Sequence, residues 1–133
     1  MNEREFKSRT KEFALRVIKL VSSLPKEPVG DVVGRQLLRS GTSVGANYRA
    51  ACRGRSAADV VNKLGFVEEE ADESLFWMEL LVDAQVVSAK RLAALMTEAN
   101  ELIAMVVASI KTLRHRSARN PKSKIQNPKS NHA

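Results

Sequence analysis

Histidine is nearly missing from this 133-residue chain: His115 and His132 are the only two, and both stand close to its C-terminal end. Cysteine is rarer still, with Cys52 alone. One cysteine forms no internal disulfide, which fits a reducing compartment. With no imidazole in the folded part, Cys52 reads as a small, partly buried side chain rather than a nucleophile. Ser-His-Asp and Cys-His catalysis fail for want of the same group. No segment alternates apolar and polar residues with period two, so a sheet is not expected, and no Gly-rich loop follows a strand. The opening residues MNEREFKSRTKEF are charged throughout and lack an apolar core region, so no secretory signal is expected. Uninterrupted apolar runs are too short to span a bilayer. The expected compartment is the cytoplasm, with no membrane contact.

What is present is ordinary in bulk and uneven in layout. Hydrophobic residues make up 44% and charged residues 28%, as in a soluble globule. The length suits one domain that buries its own core without a metal or disulfide staple. The net charge of +7 divides sharply. Residues 1–63 hold 13 basic and six acidic side chains, residues 64–110 two basic and nine acidic, and residues 111–133 seven basic and none acidic. A basic half, an acidic half and a basic tail suggest complementary faces within or between subunits, plus an attraction for polyanions.

The apolar periodicity predicts four helices. Over residues 3–24, Phe6, Phe13, Ala14, Val17, Ile18, Val21 and Leu24 recur at spacings of three and four. Pro25 and Pro28 interrupt, and Asp31 is the expected N-cap of a second helix over 31–53. Gly34, Gly41 and Gly45 each cost that helix roughly 1 kcal/mol against alanine. With Ser40, Ser43 and Ala46 they offer a thin side for another helix to press against, unless a loop begins near Gly41. Gly54 suits a left-handed helix end. Ser56 caps a third helix over 56–84, with Asp59 completing a capping-box-like start. Its main stripe is Val60, Leu64, Val67, Ala71, Leu75, Met78 and Val82, and a second stripe lies well round at Phe66, Trp77 and Leu80. Two stripes on one helix suggest burial by a neighbour and by another subunit. Ser88 caps a fourth helix over 88–115, whose Leu92, Leu95, Met96, Ala99, Leu102, Ile103, Val106, Ile110 and Leu113 keep near-heptad spacing. The predicted fold is all-α, an antiparallel up-down-up-down four-helix bundle over 1–116. A disordered basic tail, with a repeated Asn-Pro-Lys-Ser at 120 and 127, is expected over 117–133.

Four-helix bundles can house paired-metal carboxylate sites, but those need Glu-x-x-His pairs, and Glu68, Glu69, Glu70, Asp72 and Glu73 have no histidine beside them. No metal, cofactor or enzyme activity is expected. Glu70 and Glu73 instead suit pairing with arginines across a helix or subunit boundary, or a plain solvated face. At 100° per residue, Arg35, Arg39, Arg49 and Arg53 fall on one side of the second helix, opposite Val33, Leu37, Val44 and Ala51. Extended by Arg55, that row could track a phosphate backbone, sit solvated, or partner the acidic cluster. Aromatic interleaving is absent apart from Tyr48, which projects toward the core, so binding would read backbone or shape.

The run Arg39-Ser40 … Ser43-Val44-Gly45-Ala46-Asn47-Tyr48-Arg49 … Ala51-Cys52-Arg53, then Ser56, Lys63-Leu64-Gly65, Glu69-Glu70-Ala71-Asp72-Glu73, Trp77 and Glu79-Leu80-Leu81, resembles a known family. It is similar to the bacterial S23-type four-helix-bundle proteins encoded in intervening sequences of 23S ribosomal RNA genes. The accessory variability protein of diversity-generating retroelements is a more distant likeness. Ala50 departs from the pattern, standing where members commonly carry glutamate. The resemblance implies a ring-like homopentamer of four-helix bundles, a basic surface for nucleic acid and no known catalysis. For the retroelement relative it implies a reverse transcriptase and its RNA as partners. The expected role is thus a non-catalytic oligomer that associates with structured RNA through Arg35, Arg39, Arg49, Arg53 and Arg55, with Phe66, Glu70, Glu73, Trp77 and Leu80 at the subunit interface. The rival is an assembly module for a protein partner, without direct nucleic-acid contact.

Overall fold

Asn2 starts the first helix by accepting the Glu5 amide on its side-chain oxygen at 3.1 Å, which satisfies one of the free N–H groups of the first turn. The computed structural model describes residues 2–119 and comprises α1 (Glu3–Ser22), α2 (Pro28–Cys52), α3 (Ala57–Asp83) and α4 (Ala89–Arg119). Neighbours in sequence pack antiparallel, α2 on α3 most extensively, and α1 meets α4 along a thinner seam. The all-α four-helix bundle is therefore the fold. Helix continues through residues 117–119, where a disordered tail was expected; the remainder of that tail, with its repeated tetrapeptide, lies outside the described residues.

The ends of the helices refine the sequence expectations. Proline 28 opens α2 at its first position, with Glu27 rather than Asp31 as the preceding cap. A proline there gives up only an N–H that the first turn leaves free, and its fixed φ already suits the helix. Ser56 accepts the Asp59 amide at 3.1 Å, as expected of the cap. The Asp59 carboxylate reaches one residue further back, to the Arg55 amide at 3.1 Å. Gly54 is not left-handed, since no glycine has positive φ among the described residues. A Cβ there would lie 2.4 Å from Val60 Cγ2, so glycine is needed for room. The left-handed position is Gln85, φ 61°, at the end of α3. There the Val86 amide reaches back to Leu81 O and the Gln85 amide to Val82 O, each at 2.9 Å, a Schellman ending with no glycine in it.

α2 is continuous through Gly41, and its thin side is used, except that Ala46, expected on it, faces solvent among the arginines. A Cβ on Gly41 would lie 2.8 Å from both methyls of Val17, and one on Gly45 would lie 3.3 Å from Thr10 Oγ1. Its other inner flank meets α3, where Ser74 Oγ lies 2.9 Å from Ser40 Oγ, both fully buried. The core runs from Tyr48, whose ring stands edge-on to Phe6 at 4.5 Å, through Val44, Leu37, Val67, Leu102 and Phe13 to Met78, Leu81 and Leu92. On α1 the buried stripe is Phe6, Thr10, Phe13, Val17 and Leu20. Ile18, expected in that stripe, is exposed, because it sits about 100° from Val17, toward the solvent side. By length and composition alone Ala89–Ala118 is apolar enough to cross a membrane, although its uninterrupted apolar runs are short. Its Leu92, Leu95, Leu102, Val106 and Ile110 are nevertheless buried in the bundle.

Candidate nucleic-acid and subunit interfaces

The core-facing stripe of α2, from Val33 through Leu37 and Val44 to Ala51, decides by helical rotation what the opposite side must carry. There Arg35, Arg39, Arg49 and Arg53 are all exposed. From Arg35 to Arg53 the row is about 27 Å long at 1.5 Å rise per residue. Between its two halves the side chains are short, Thr42 and Ala46, so a rod-like ligand could lie along it without a steric ridge.

The four arginines are not equivalent. Arg39 reaches across to α3, where its Nη1 donates to Glu70 Oε2 at 3.1 Å and its Nη2 to Glu73. The Glu70 charge, then that of Glu73, raises the guanidinium pKa. Glu73 also accepts from Trp77 Nε1 at 3.1 Å. Arg35, Arg49 and Arg53 make no ion pair and no side-chain hydrogen bond among the described residues. Arg55 is exposed in the α2–α3 turn. Its amide is the first of the groups that hold the Asp59 carboxyl below the usual range, with Lys63 Nζ next. The row thus contains three cations without counter-ions and one already neutralised.

The expected subunit-facing stripe is distributed unevenly. Phe66 is exposed, whereas Trp77 and Leu80 are half-buried. Glu70 and Glu73 spend their charge on Arg39 of the same chain. Phe76, which sequence reasoning missed, is exposed and stands edge-on to Trp77 with ring centroids 5.0 Å apart. Its signal was available in the spacing of three and four through Phe66, Glu69, Glu73, Phe76 and Leu80, on the helix side away from Ala71 and Met78.

A second feature lies at the end of the bundle where α1 begins. A cavity of about 550 Å³ is lined by Tyr48, Cys52, Leu64, Met105, Leu113 and Glu3 among others. Burial pushes the Cys52 thiol up, which leaves it protonated and weakly nucleophilic. Across the thin α1–α4 seam, Arg9 donates to Glu98 at 2.6 Å and Glu101 at 3.0 Å. Those two hydrogen bonds raise its pKa. Among the described residues no three His, Cys, Asp or Glu side chains cluster as a metal ion would require.

Comparison with known proteins bears on the family and the fold. The family model described as "23S rRNA-intervening sequence protein" matches residues 2–108. A solved structure of a protein of unknown function from the S23 ribosomal protein family of Bacteroides thetaiotaomicron is 34% identical, with a TM-score of 0.78. The match covers 84% of this chain and 99% of that one. No curated protein matches.

Proposed function

This chain belongs to the 23S rRNA-intervening sequence protein family, and on that premise we propose that it is a non-catalytic, cytoplasmic, oligomeric protein that associates with structured RNA. The assembly is a homopentamer, joined through the α3 face around Phe66, Trp77 and Leu80. One observation carries the RNA part: Arg35, Arg49 and Arg53 are aligned and exposed on one side of α2, with no ion-pair or hydrogen-bond partner for their side chains among the described residues. Three unneutralised cations on a rigid helix suit a phosphate backbone, whose counterions they release on contact. Arg55 extends the row past its end, and Arg39 contributes less because Glu70 and Glu73 already hold it. Little aromatic surface accompanies the row, so the contact reads backbone and shape. Binding of ribosomal RNA fragments measured at several salt concentrations tests this, since phosphate contacts predict a steep fall with salt. A flat response refutes it.

A second reading has its own support. The engagement of Arg39 with an α3 that also exposes Phe66 and Phe76 fits a module whose partner is another polypeptide. The double reversal Arg49→Glu/Arg53→Glu separates the two. Intact oligomer with lost RNA binding supports the first; a lost oligomer supports the second.

A further inference from the structure

Where α1 begins, the bundle is not filled. Earlier in α4, Leu92, Leu95 and Leu102 close the core. Beyond Met105 the face of α4 that continues toward Arg116 carries only Ala108, Ser109 and Thr112. Across from them, α2 ends in another short side chain, Ala51. Side chains this small leave the cavity of about 550 Å³, a size usual for small-molecule sites. Tyr48, Ala51 and Leu64 are its buried floor, while Val60, Met105 and Leu113 are partly buried walls. Polar groups are few. The Tyr48 hydroxyl stands beside the Cys52 thiol, one turn further along α2. Among the lining residues only Glu3 and Arg116 carry charge, and both are exposed, which places them at the mouth. Lys7 Nζ lies 3.2 Å from Glu3 Oε2, whereas Arg116 makes no ion pair among the described residues. The mouth therefore has an uncompensated positive charge over an apolar interior.

We propose that this cavity binds a small amphipathic carboxylate, with its apolar body between α2, α3 and α4 and its head group at Arg116. Covering the apolar walls supplies the driving force. The guanidinium then fixes the orientation through a charge-assisted hydrogen bond. Other ligand classes fit less of what lines the space. An inorganic anion would satisfy Arg116 but leave the walls uncovered. An amphipathic cation would cover the walls but meet a like charge at the mouth. A neutral alcohol would lose only the contact with Arg116. Neither the arginine row of α2 nor any contact between copies is needed for this binding, so the proposal stands apart from the association with RNA.

Cys52 is the only cysteine in the chain and lines the cavity, so the rate at which N-ethylmaleimide labels it reports on this space and not on other apolar surface. Decanoate is expected to slow the labelling of the full-length protein in a saturable way. Decanol should protect more weakly, and decyltrimethylammonium not at all. Arg116→Gln should weaken protection by decanoate about two- to fivefold, as for an exposed charge pair, and leave protection by decanol unchanged. Ala108→Trp, which fills the mouth from an exposed position, should abolish protection by every ligand. Circular dichroism checks its helicity, and Thr112→Trp replaces it if helicity is lost. The proposal is overturned if decanoate gives no protection or the ammonium protects equally well. It is equally overturned if decanoate is indifferent to Arg116→Gln or still protects after the mouth is filled.

Discussion

Along the side of α2 that faces α1, a Cβ on Gly41 would press into Val17 at 2.8 Å; along its solvent side, Arg35, Arg49 and Arg53 make no ion pair among the described residues. One helix therefore has a side where a single methyl group is too much and a side with charge to spare. The inner side has no slack because two backbones approach closely over glycine, and packed interiors absorb added volume poorly. The outer side is unconstrained by the chain's own packing, so substitutions there should leave folding nearly untouched.

Substitutions that act on one side only can break or sharpen this contrast. The largest effect on folding is expected from Gly41→Ala, which should lower stability by about 1–3 kcal/mol through overpacking. A chemical melt measures it, and Val17→Ala in the same chain should recover part of the loss. An unchanged midpoint would mean the seam is looser than 2.8 Å implies. Next, Arg35→Gln/Arg49→Gln/Arg53→Gln should reduce the salt slope of RNA binding by about 3 and leave the melting temperature unchanged. Arg39→Gln should do the reverse, with little change in RNA affinity and a small loss of thermal stability. Equal effects from the two would erase the distinction between paired and free arginines.

A smaller effect, of opposite sign to Gly41→Ala, is expected at Gly65. An added Cβ there meets nothing within 4 Å, so Gly65→Ala should stabilise the protein by about 0.5–1 kcal/mol through helix propensity. The smallest concerns Asp59, whose carboxyl is held low by the Arg55 amide and Lys63. A depressed folded-state pKa contributes stability above the unfolded value that disappears as pH falls through the folded one. Asp59→Asn should therefore melt slightly lower at neutral pH, and the gap should close in strong acid. A gap that persists there would show that the effect is not the carboxylate's charge.

The two sides of α2 were unequally legible in the sequence. Gly34, Gly41 and Gly45 with Ser40 announced a thin inner side, since spacing on one helix is a local property. The outer row was equally visible as a row, yet nothing in it marked Arg39 as the one that is paired. That depends on where Glu70 and Glu73 arrive from α3, 31 and 34 positions away. Phe76 escaped notice because it adjoins Trp77, and two neighbouring aromatics cannot both be assigned to one stripe without knowing how α3 is rotated. Gln85 escaped because a left-handed helix end is usually sought at glycine.

The sequence by itself determined four helices, their order, the Ser56 and Ser88 caps and the side of α2 that admits another helix. Periodicity and capping are contained in a few consecutive residues, so no long-range information is needed to read them. Only the tertiary structure decided which arginine is neutralised and which aromatics reach solvent. Those outcomes follow from the mutual rotation and register of whole helices, set by packing between residues far apart in the chain.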